Sequence, residues 1–143
     1  MMNDTALLYR LHEKLKTDLK TVNPFIDRVS QDLLPFVGSK DDVFKIKLAL
    51  EEAVVNSMRH GNRMDERCFV TVHIGVDAQK IVMDVHDEGD GFDFRVLPDP
   101  TRGEKVNQPS GRGVYLMRKL MDKVEFYDNG SGVRMSKSLH RNP

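Results

Sequence analysis

The N-terminal part of the chain shows a strand-like pattern and then a helix-like one. In LLYRLH, residues 7–12, every second residue from the first is apolar, which is the period of a half-buried β-strand. From residue 19 to about residue 36 the apolar residues recur at helical spacing, and Pro24 fits only a first turn or a kink. Gly38 is a typical helix stop. We therefore predict a strand followed by an α-helix.

The most regular helical pattern lies between residues 40 and 61. Ser39 is a suitable N-cap with Asp42 three residues later, and DDVFKIKLALEEAVVNSMRHG keeps a helical period until Gly61. On a helical wheel one broad apolar stripe should face the core. Its members are Ile46, Ala49, Leu50, Ala53, Val54 and Ser57.

The second half of the chain is typical of β-hairpins. RCFVTVHIGV and KIVMDVHD are β-branched and alternating, and they are joined by a turn-prone stretch at residues 77–79. KVEFYD and VRMSKS flank residues 129–132 as a closing hairpin. Before it, the spacing predicts a short helix over about 113–121. Residues 93–110 contain three prolines and no period, and about eighteen residues exceed the roughly 12 to 15 usual for a structureless connection, so we expect a functional or mobile loop.

This order of elements predicts one α+β domain over residues 1–143, a two-layer sandwich with helices on one face of a mixed, mostly antiparallel sheet. At 39% hydrophobic and 31% charged residues, the chain has enough apolar material for one core. Lys and Arg total 22 and so do Asp and Glu, so the net charge attracts neither nucleic acid nor an anionic membrane.

Two further features narrow the class of protein. The longest uninterrupted apolar run has four residues, against about 18 for a membrane span, and the N-terminus lacks the apolar stretch of a signal peptide, so we expect a cytoplasmic protein. The single cysteine, Cys68, cannot form an internal disulfide or a zinc site by itself, and we expect it half-buried in a strand.

The long helix carries a candidate acid and amide pair. Glu52 and Asn56 lie one turn apart on a semi-apolar face that also holds Val55 and Arg59, whereas Glu51 falls on the opposite, wetter side. A carboxylate and an amide oxygen at this spacing suit a general base and a magnesium ligand. Glu and Asn at this spacing are also common as solvent-exposed residues without a function, so the functional assignment needs support from other motifs.

A second candidate is DEGDGF, residues 87–92, directly after a predicted strand. Gly89 and Gly91 allow a ligand to approach the backbone closely, and Asp87 places a carboxylate beside them. A calcium-binding EF-hand and a dinucleotide fingerprint both fail, because the glycines and acids are out of frame and no helix follows. A plain turn is the alternative.

A third candidate is PSGRGVYLM, residues 109–117. Gly111 and Gly113 flank Arg112 at the start of a helix, where free amides, the positive helix end and a guanidinium form an anion site suited to phosphate. The Walker pattern is absent, and so is a nucleophile elbow, because Ser131 lies out of frame in a hairpin turn.

In this order, the three motifs resemble the GHKL or Bergerat ATP-binding fold of gyrase B subunits, histidine kinases and mismatch-repair ATPases. Within it, the short chain and the run EEAVVNSMRHGN are most similar to the bacterial anti-sigma factor serine kinases. The resemblance covers nearly the whole chain. It implies an enzyme that uses ATP and Mg²⁺.

The resemblance also implies roles for individual residues. Glu52 takes the position of the catalytic base, Asn56 that of the magnesium ligand, and Asp87 that of the aspartate that accepts from the adenine amino group. Residues 93–110 become the ATP lid. The implied ATP-binding residues are Asn56, Arg59, His60, Asp87, Gly89, Gly91, Phe92, Gly111, Arg112, Gly113, Val114 and Ser131.

Two of these positions are less defined. Ser131 stands where relatives commonly have threonine, so a hydroxyl is kept. His60 precedes Gly61 as in the anti-sigma kinases, but it also suits a helix-end histidine that contacts the last carbonyls.

By the resemblance, the protein phosphorylates a serine of an anti-anti-sigma partner of the STAS class and sequesters a sigma factor. A homodimer is compatible with it, and neither nucleic acid nor a membrane is expected as a direct partner. One alternative is an ATP-gated binding module without kinase activity. The other is a purely structural interaction domain, and the intact glycines of both motifs argue against this second alternative.

Overall fold

The computed structural model describes residues 7–89 and 109–139. Within these ranges there are five strands and three α-helices, and three short helical turns. In chain order they are β1 (Tyr9–Lys16), a 3₁₀ turn (Leu19–Thr21), α1 (Val22–Val37), α2 (Lys40–Asn56), a π-helical turn (Ser57–Gly61), β2 (Phe69–Val76), β3 (Lys80–His86), α3 (Pro109–Leu120), β4 (Lys123–Tyr127), a 3₁₀ turn (Asp128–Gly130) and β5 (Gly132–Ser138).

The strands form one sheet in the order β1-β2-β3-β5-β4, and all the described pairings are antiparallel. The core lies between the helices and one face of the sheet. Its fully buried members include Ile46 and Leu50 from α2, Ile74 from β2, Met83 from β3 and Met117 from α3. The predicted α+β sandwich is therefore confirmed.

The helix boundaries around Gly38 follow the predicted signals. Gly38 has a left-handed φ of 82°, and its N–H donates to Leu34 O at 3.0 Å. Ser39 Oγ accepts the N–H of Asp42 at 3.2 Å, so Ser39 caps α2 as predicted. Pro24 lies in the first turn of α1, where its missing N–H costs no hydrogen bond.

The predicted helix over residues 40–61 is wrong in its last five residues. α2 ends at Asn56, and the chain continues as the π-helical turn Ser57–Gly61, in which Asn62 N–H donates to Ser57 O at 2.8 Å. A π turn inserts one residue into the helix and is frequent at functional sites. It rotates the side chains that follow, so the wheel drawn for an α-helix does not apply beyond Asn56.

The strands extend or confirm the predicted ones. β1 runs to Lys16, four residues past the predicted end at 12, because pairing with β2 continues to Phe69. Both predicted hairpins are present, and Asp77 Oδ1 accepts the N–H groups of Gln79 and Lys80 in the first turn. Cys68 is half-buried as predicted, but it lies one residue before β2 and not in the strand, so that part of the prediction is wrong.

β3 occupies the middle of the sheet and leads directly to one of the candidate motifs. It is buried on both faces, since Val82 and Asp84 on the face away from the helices are only 5% and 7% exposed. Asp87 follows its last residue, His86.

No helix in the described ranges is long and apolar enough to cross a membrane.

Candidate functional site

A cavity of about 370 Å³ lies where α2 and its π turn face the first turn of α3. It brings together the Glu52 and Asn56 pair and the arginine of the third motif. The residues that line it are Glu51, Glu52, Val55, Asn56, Arg59, His60 and Arg112.

Asn56, which lines this cavity, carries an unused hydrogen-bond acceptor. Its side chain is 7% exposed, and Asn56 Oδ1 is the one buried side-chain nitrogen or oxygen in the described ranges without a hydrogen-bond partner. An unpaired buried acceptor costs about 1 to 3 kcal/mol, so such an atom calls for a ligand. An amide oxygen is also a suitable ligand atom for Mg²⁺.

The donor set also fits the way that Mg²⁺ is usually held. Within the described ranges, no group of three or more His, Cys, Asp or Glu side chains could hold a metal ion alone. Mg²⁺ in phosphoryl-transfer sites is bound by one or two protein oxygens, water and the substrate phosphates. Asn56 Oδ1 fits this requirement as a single protein oxygen.

Glu52 has the electrostatic setting of a base. Burial raises its pKa above the ordinary value, with a further contribution from Glu51, while Arg112 and Arg59 act in the opposite direction. α3 comes close to this carboxylate because Gly113 has no side chain, and a Cβ there would lie 3.0 Å from Glu52 Oε2. A raised pKa brings a carboxylate nearer to the working pH of a general base.

Glu51 does not lie on the opposite, wetter side of α2, so that prediction is wrong. It is half-buried, it lines the same cavity, and its charge raises the pKa of Glu52. Residues next to each other on a helix differ by about 100°. The cavity is wide enough to span that angle, so both residues line it.

Arg59 and His60 reach the cavity from the π turn. Arg59 is exposed, whereas His60 is half-buried, and burial followed by the charge of Arg59 lowers the pKa of His60. Both effects favour the neutral form of the imidazole.

Asp87 lies in a tight pocket at the end of β3. Its side chain is 1% exposed, its N–H donates to Ser131 O at 2.9 Å, and its Oδ1 accepts the N–H of Gly89 at 2.9 Å. Burial raises the pKa of Asp87 to about 6, and the Gly89 N–H and then His86 oppose this rise.

Two glycines make this pocket possible. A Cβ at Gly61 would overlap the Asp87 carboxylate, and a Cβ at Gly89 would overlap the Gly61 carbonyl oxygen. The backbone at the end of the π turn therefore packs directly against the turn at residues 87–89, which we call the Asp87 turn. This contact joins the helix that carries Glu52 to the turn that carries Asp87.

Ser131 lies beside Asp87 through its main chain, since its carbonyl accepts the Asp87 N–H. Its hydroxyl donates to Asp128 O at 2.8 Å, within the turn that joins β4 and β5. The hydroxyl proton is thus used internally, and the oxygen keeps lone pairs for a ligand.

The third motif begins earlier than predicted. α3 starts at Pro109, so Gly111 and Arg112 lie inside its first turn, Gly113 begins the second, and residues 109 and 110 of the predicted lid are helical. Arg112 is exposed and lines the cavity, as an anion ligand requires. Val114 is 3% exposed in the core, so only its main chain could contact a nucleotide.

Some predicted residues cannot be placed. Gly91, Phe92 and residues 93–108 of the predicted lid lie outside the described residues. Two residues that the sequence did not single out for function, Gly61 and Asn62, border the Asp87 pocket. Glycine and asparagine after a helix are ordinary helix ends, so no sequence signal marks them.

Comparison with known proteins places the chain among ATPase domains. Residues 15–137 match the histidine kinase-like ATPase domain. A serine-protein kinase RsbW of Bacillus licheniformis is 36% identical over 113 residues, which cover 72% of this chain and 69% of the relative. The protein of that name from Bacillus subtilis is 35% identical over 108 residues, covering 71% and 67%, and that from Listeria innocua is 28% identical over 109 residues, covering 71% and 69%.

Proposed function

The chain belongs to the histidine kinase-like ATPase domain family, and from that premise we propose that it is a protein serine kinase that binds Mg-ATP and phosphorylates a protein partner. The observation that carries the proposal is the buried, partnerless Oδ1 of Asn56. Asn56 lines one cavity together with Arg112 and with Glu52, one helical turn away. Phosphoryl transfer requires an oxygen ligand for the metal ion, a general base and a positively charged side chain near the phosphates.

We propose that nucleotide binding uses two separate points. Asp87, buried at the end of β3, accepts a hydrogen bond from the exocyclic amine of adenine. Gly61 and Gly89 have no side chains, so the backbone can lie close to this carboxylate. Asn56 would hold Mg²⁺ through its Oδ1, and the bound ion would supply positive charge beside the phosphates. Gly111, Arg112 and the first turn of α3 contact those phosphates, because free N–H groups at a helix start favour anions.

In the transfer step, Glu52 accepts the proton of the attacking serine hydroxyl, directly or through a water. The serine oxygen forms a bond to the γ-phosphorus, the bond from that phosphorus to the β,γ-bridging oxygen breaks, and ADP leaves with its electron pair. The raised pKa of Glu52 supports this role. Arg112 and Arg59 hold positive charge beside the cavity, where negative charge spreads over the transferring group.

The partner follows from the relatives rather than from the cavity. Relatives named serine-protein kinase RsbW support a serine substrate on another protein. Together with the sequence resemblance, they lead us to propose a STAS-domain anti-anti-sigma protein as the substrate and a sigma factor as a second partner.

The proposal is tested by the dependence of ATP binding on magnesium. In calorimetry we expect wild-type protein to bind ATP more tightly with Mg²⁺ than with EDTA. In Asn56→Ala the ratio of these two affinities should be at least about tenfold smaller, because the affinity with Mg²⁺ falls while the affinity with EDTA changes little. Asn23→Ala, at an exposed asparagine of α1, is the control. Equal ATP affinity with Mg²⁺ and EDTA in the wild type would contradict the role of Asn56. The non-catalytic alternative predicts magnesium-dependent binding of ATP without any transfer to a STAS partner.

A further inference from the structure

A buried amide joins three other segments around the Asp87 turn. Asn62, just after the π turn, is 4% exposed. Its Nδ2 donates to Thr17 Oγ1 at 2.9 Å and to Phe69 O at 3.0 Å, and its Oδ1 accepts the N–H of Glu88 at 2.8 Å. The side chain thus binds the chain after β1, the start of β2 and the turn after β3.

The orientation of this amide is fixed by its surroundings. Thr17, which is fully buried, donates its own hydroxyl proton to Cys68 O at 2.8 Å, so its oxygen is left to accept from Asn62. Phe69 O can only accept. Nδ2 must therefore face Thr17 and Phe69, which turns Oδ1 toward the Glu88 N–H.

The same turn is also held from its other side. The Glu88 carboxylate accepts the N–H of Phe69, so both polar groups of the Phe69 main chain are bound to Glu88 or Asn62. Gly89 N–H donates to Asp87 Oδ1. Residues 87–89 are therefore anchored to the start of β2 rather than held by their own backbone alone.

We propose that Asn62 is a positioning residue for the carboxylate that recognises the base. By holding the Glu88 main chain, it fixes Asp87 where the carboxylate meets an exocyclic amine and repels a carbonyl oxygen, so that adenine, with a donor at that ring position, is preferred to guanine, with an acceptor there. This inference rests on the proposed function, in which Asp87 binds the base.

The test compares variants inside and outside this network. Asn62→Ala removes the whole amide. Thr17→Val removes the hydroxyl that orients it, and Thr17→Ser restores that hydroxyl. Ser39→Ala, which loses only the N-cap hydrogen bond of α2, is the control for a general loss of stability.

Two measurements need no nucleotide. The pKa of Asp87, followed by ¹³C NMR of its carboxyl group, should fall from about 6 toward the ordinary value of 3.8 in Asn62→Ala and Thr17→Val, because an unclamped turn admits water. The amide exchange of Glu88 should quicken in the same variants. Thr17→Ser and Ser39→Ala should leave both unchanged.

A third measurement follows the nucleotide. The Kd for ATP should rise by about tenfold in Asn62→Ala, the effect of about one hydrogen bond, while the Kd for GTP stays within about twofold of the wild-type value. An unchanged Asp87 pKa, Glu88 exchange and ATP-to-GTP ratio in folded Asn62→Ala would overturn the inference. If that variant does not fold, Thr17→Val decides by the same criteria. Wild-type protein that binds no ATP would refute the proposed function, whereas the first two measurements would still decide whether Asn62 holds the turn.

Discussion

Asp87 is expected to reduce the stability of the fold while serving the binding of the nucleotide. In the unfolded chain it ionises near its ordinary pKa of 3.8, and in the folded protein near 6. Below pH 3.8 the carboxyl is protonated in both states. Between pH 3.8 and 6 the unfolded chain releases a proton that the folded chain keeps, so the free energy of unfolding falls as the pH rises.

The size of this effect follows from the shift. At 1.36 kcal/mol per pH unit, a pKa raised from 3.8 to about 6 corresponds to about 3 kcal/mol of lost stability above pH 6. Asp87→Asn resembles the protonated acid and keeps an oxygen for the Gly89 N–H. We therefore expect this variant to be about 2 to 3 kcal/mol more stable than wild type at pH 7.5 and to show no gain at pH 3.5.

Urea unfolding at a series of pH values measures this difference. Asp65→Asn is a control of opposite sign, because the Arg67 side chain and N–H lower the pKa of the half-buried Asp65 to about 2. Its ionised form supports the fold above pH 3.8, so its replacement gives no gain at pH 7.5. In the same samples, Asp87→Asn should weaken ATP binding by about 1 to 3 kcal/mol. Equal pH dependence in wild type and Asp87→Asn would refute the reasoning.

Three other substitutions probe the geometry. Gly61→Ala should lower the free energy of unfolding by about 1 to 3 kcal/mol and abolish ATP binding in calorimetry, because the added Cβ overlaps the Asp87 carboxylate; full ATP affinity would contradict this. Gly113→Ala should leave ATP affinity within about threefold of wild type and slow transfer by at least about tenfold in a kinase assay, because the Cβ comes within 3.0 Å of Glu52 Oε2; an unchanged rate would contradict it. Ser39→Ala should cost about 1 kcal/mol in urea unfolding without changing ATP affinity, and a weaker affinity would link the α2 cap to the site.

The sequence predicted the elements well where local chemistry decides them. The stop at Gly38 and the cap at Ser39 depend on one φ angle and one hydrogen bond, and both are present. Alternation likewise predicted both hairpins, because one face of the sheet is buried against the helices. The face that holds Asn56, Val55 and Arg59 lines the cavity.

The errors arise where contacts distant in sequence decide the structure. The π turn after Asn56 has the same apolar spacing as an α-helix, so the pattern could not reveal it. Glu51 lines the cavity because of the width of the cleft between α2 and α3, which a wheel of one helix does not contain. Asn62 gains its importance from Thr17 and Glu88, which lie 45 and 26 residues away in sequence.

The most direct test of the central claim is transfer of the γ-phosphoryl group to a co-encoded STAS protein, followed with labelled ATP and with mass spectrometry of the modified serine. With ATP saturating and transfer rate-limiting, we expect wild type to phosphorylate the partner and Glu52→Gln to be slower by about 10² to 10⁴ with nearly unchanged ATP affinity. Glu66→Gln, at an exposed site, should match wild type. Transfer by Glu52→Gln at the wild-type rate would contradict the assignment of the base, and tight binding of ATP and partner by wild type without any transfer would contradict the kinase.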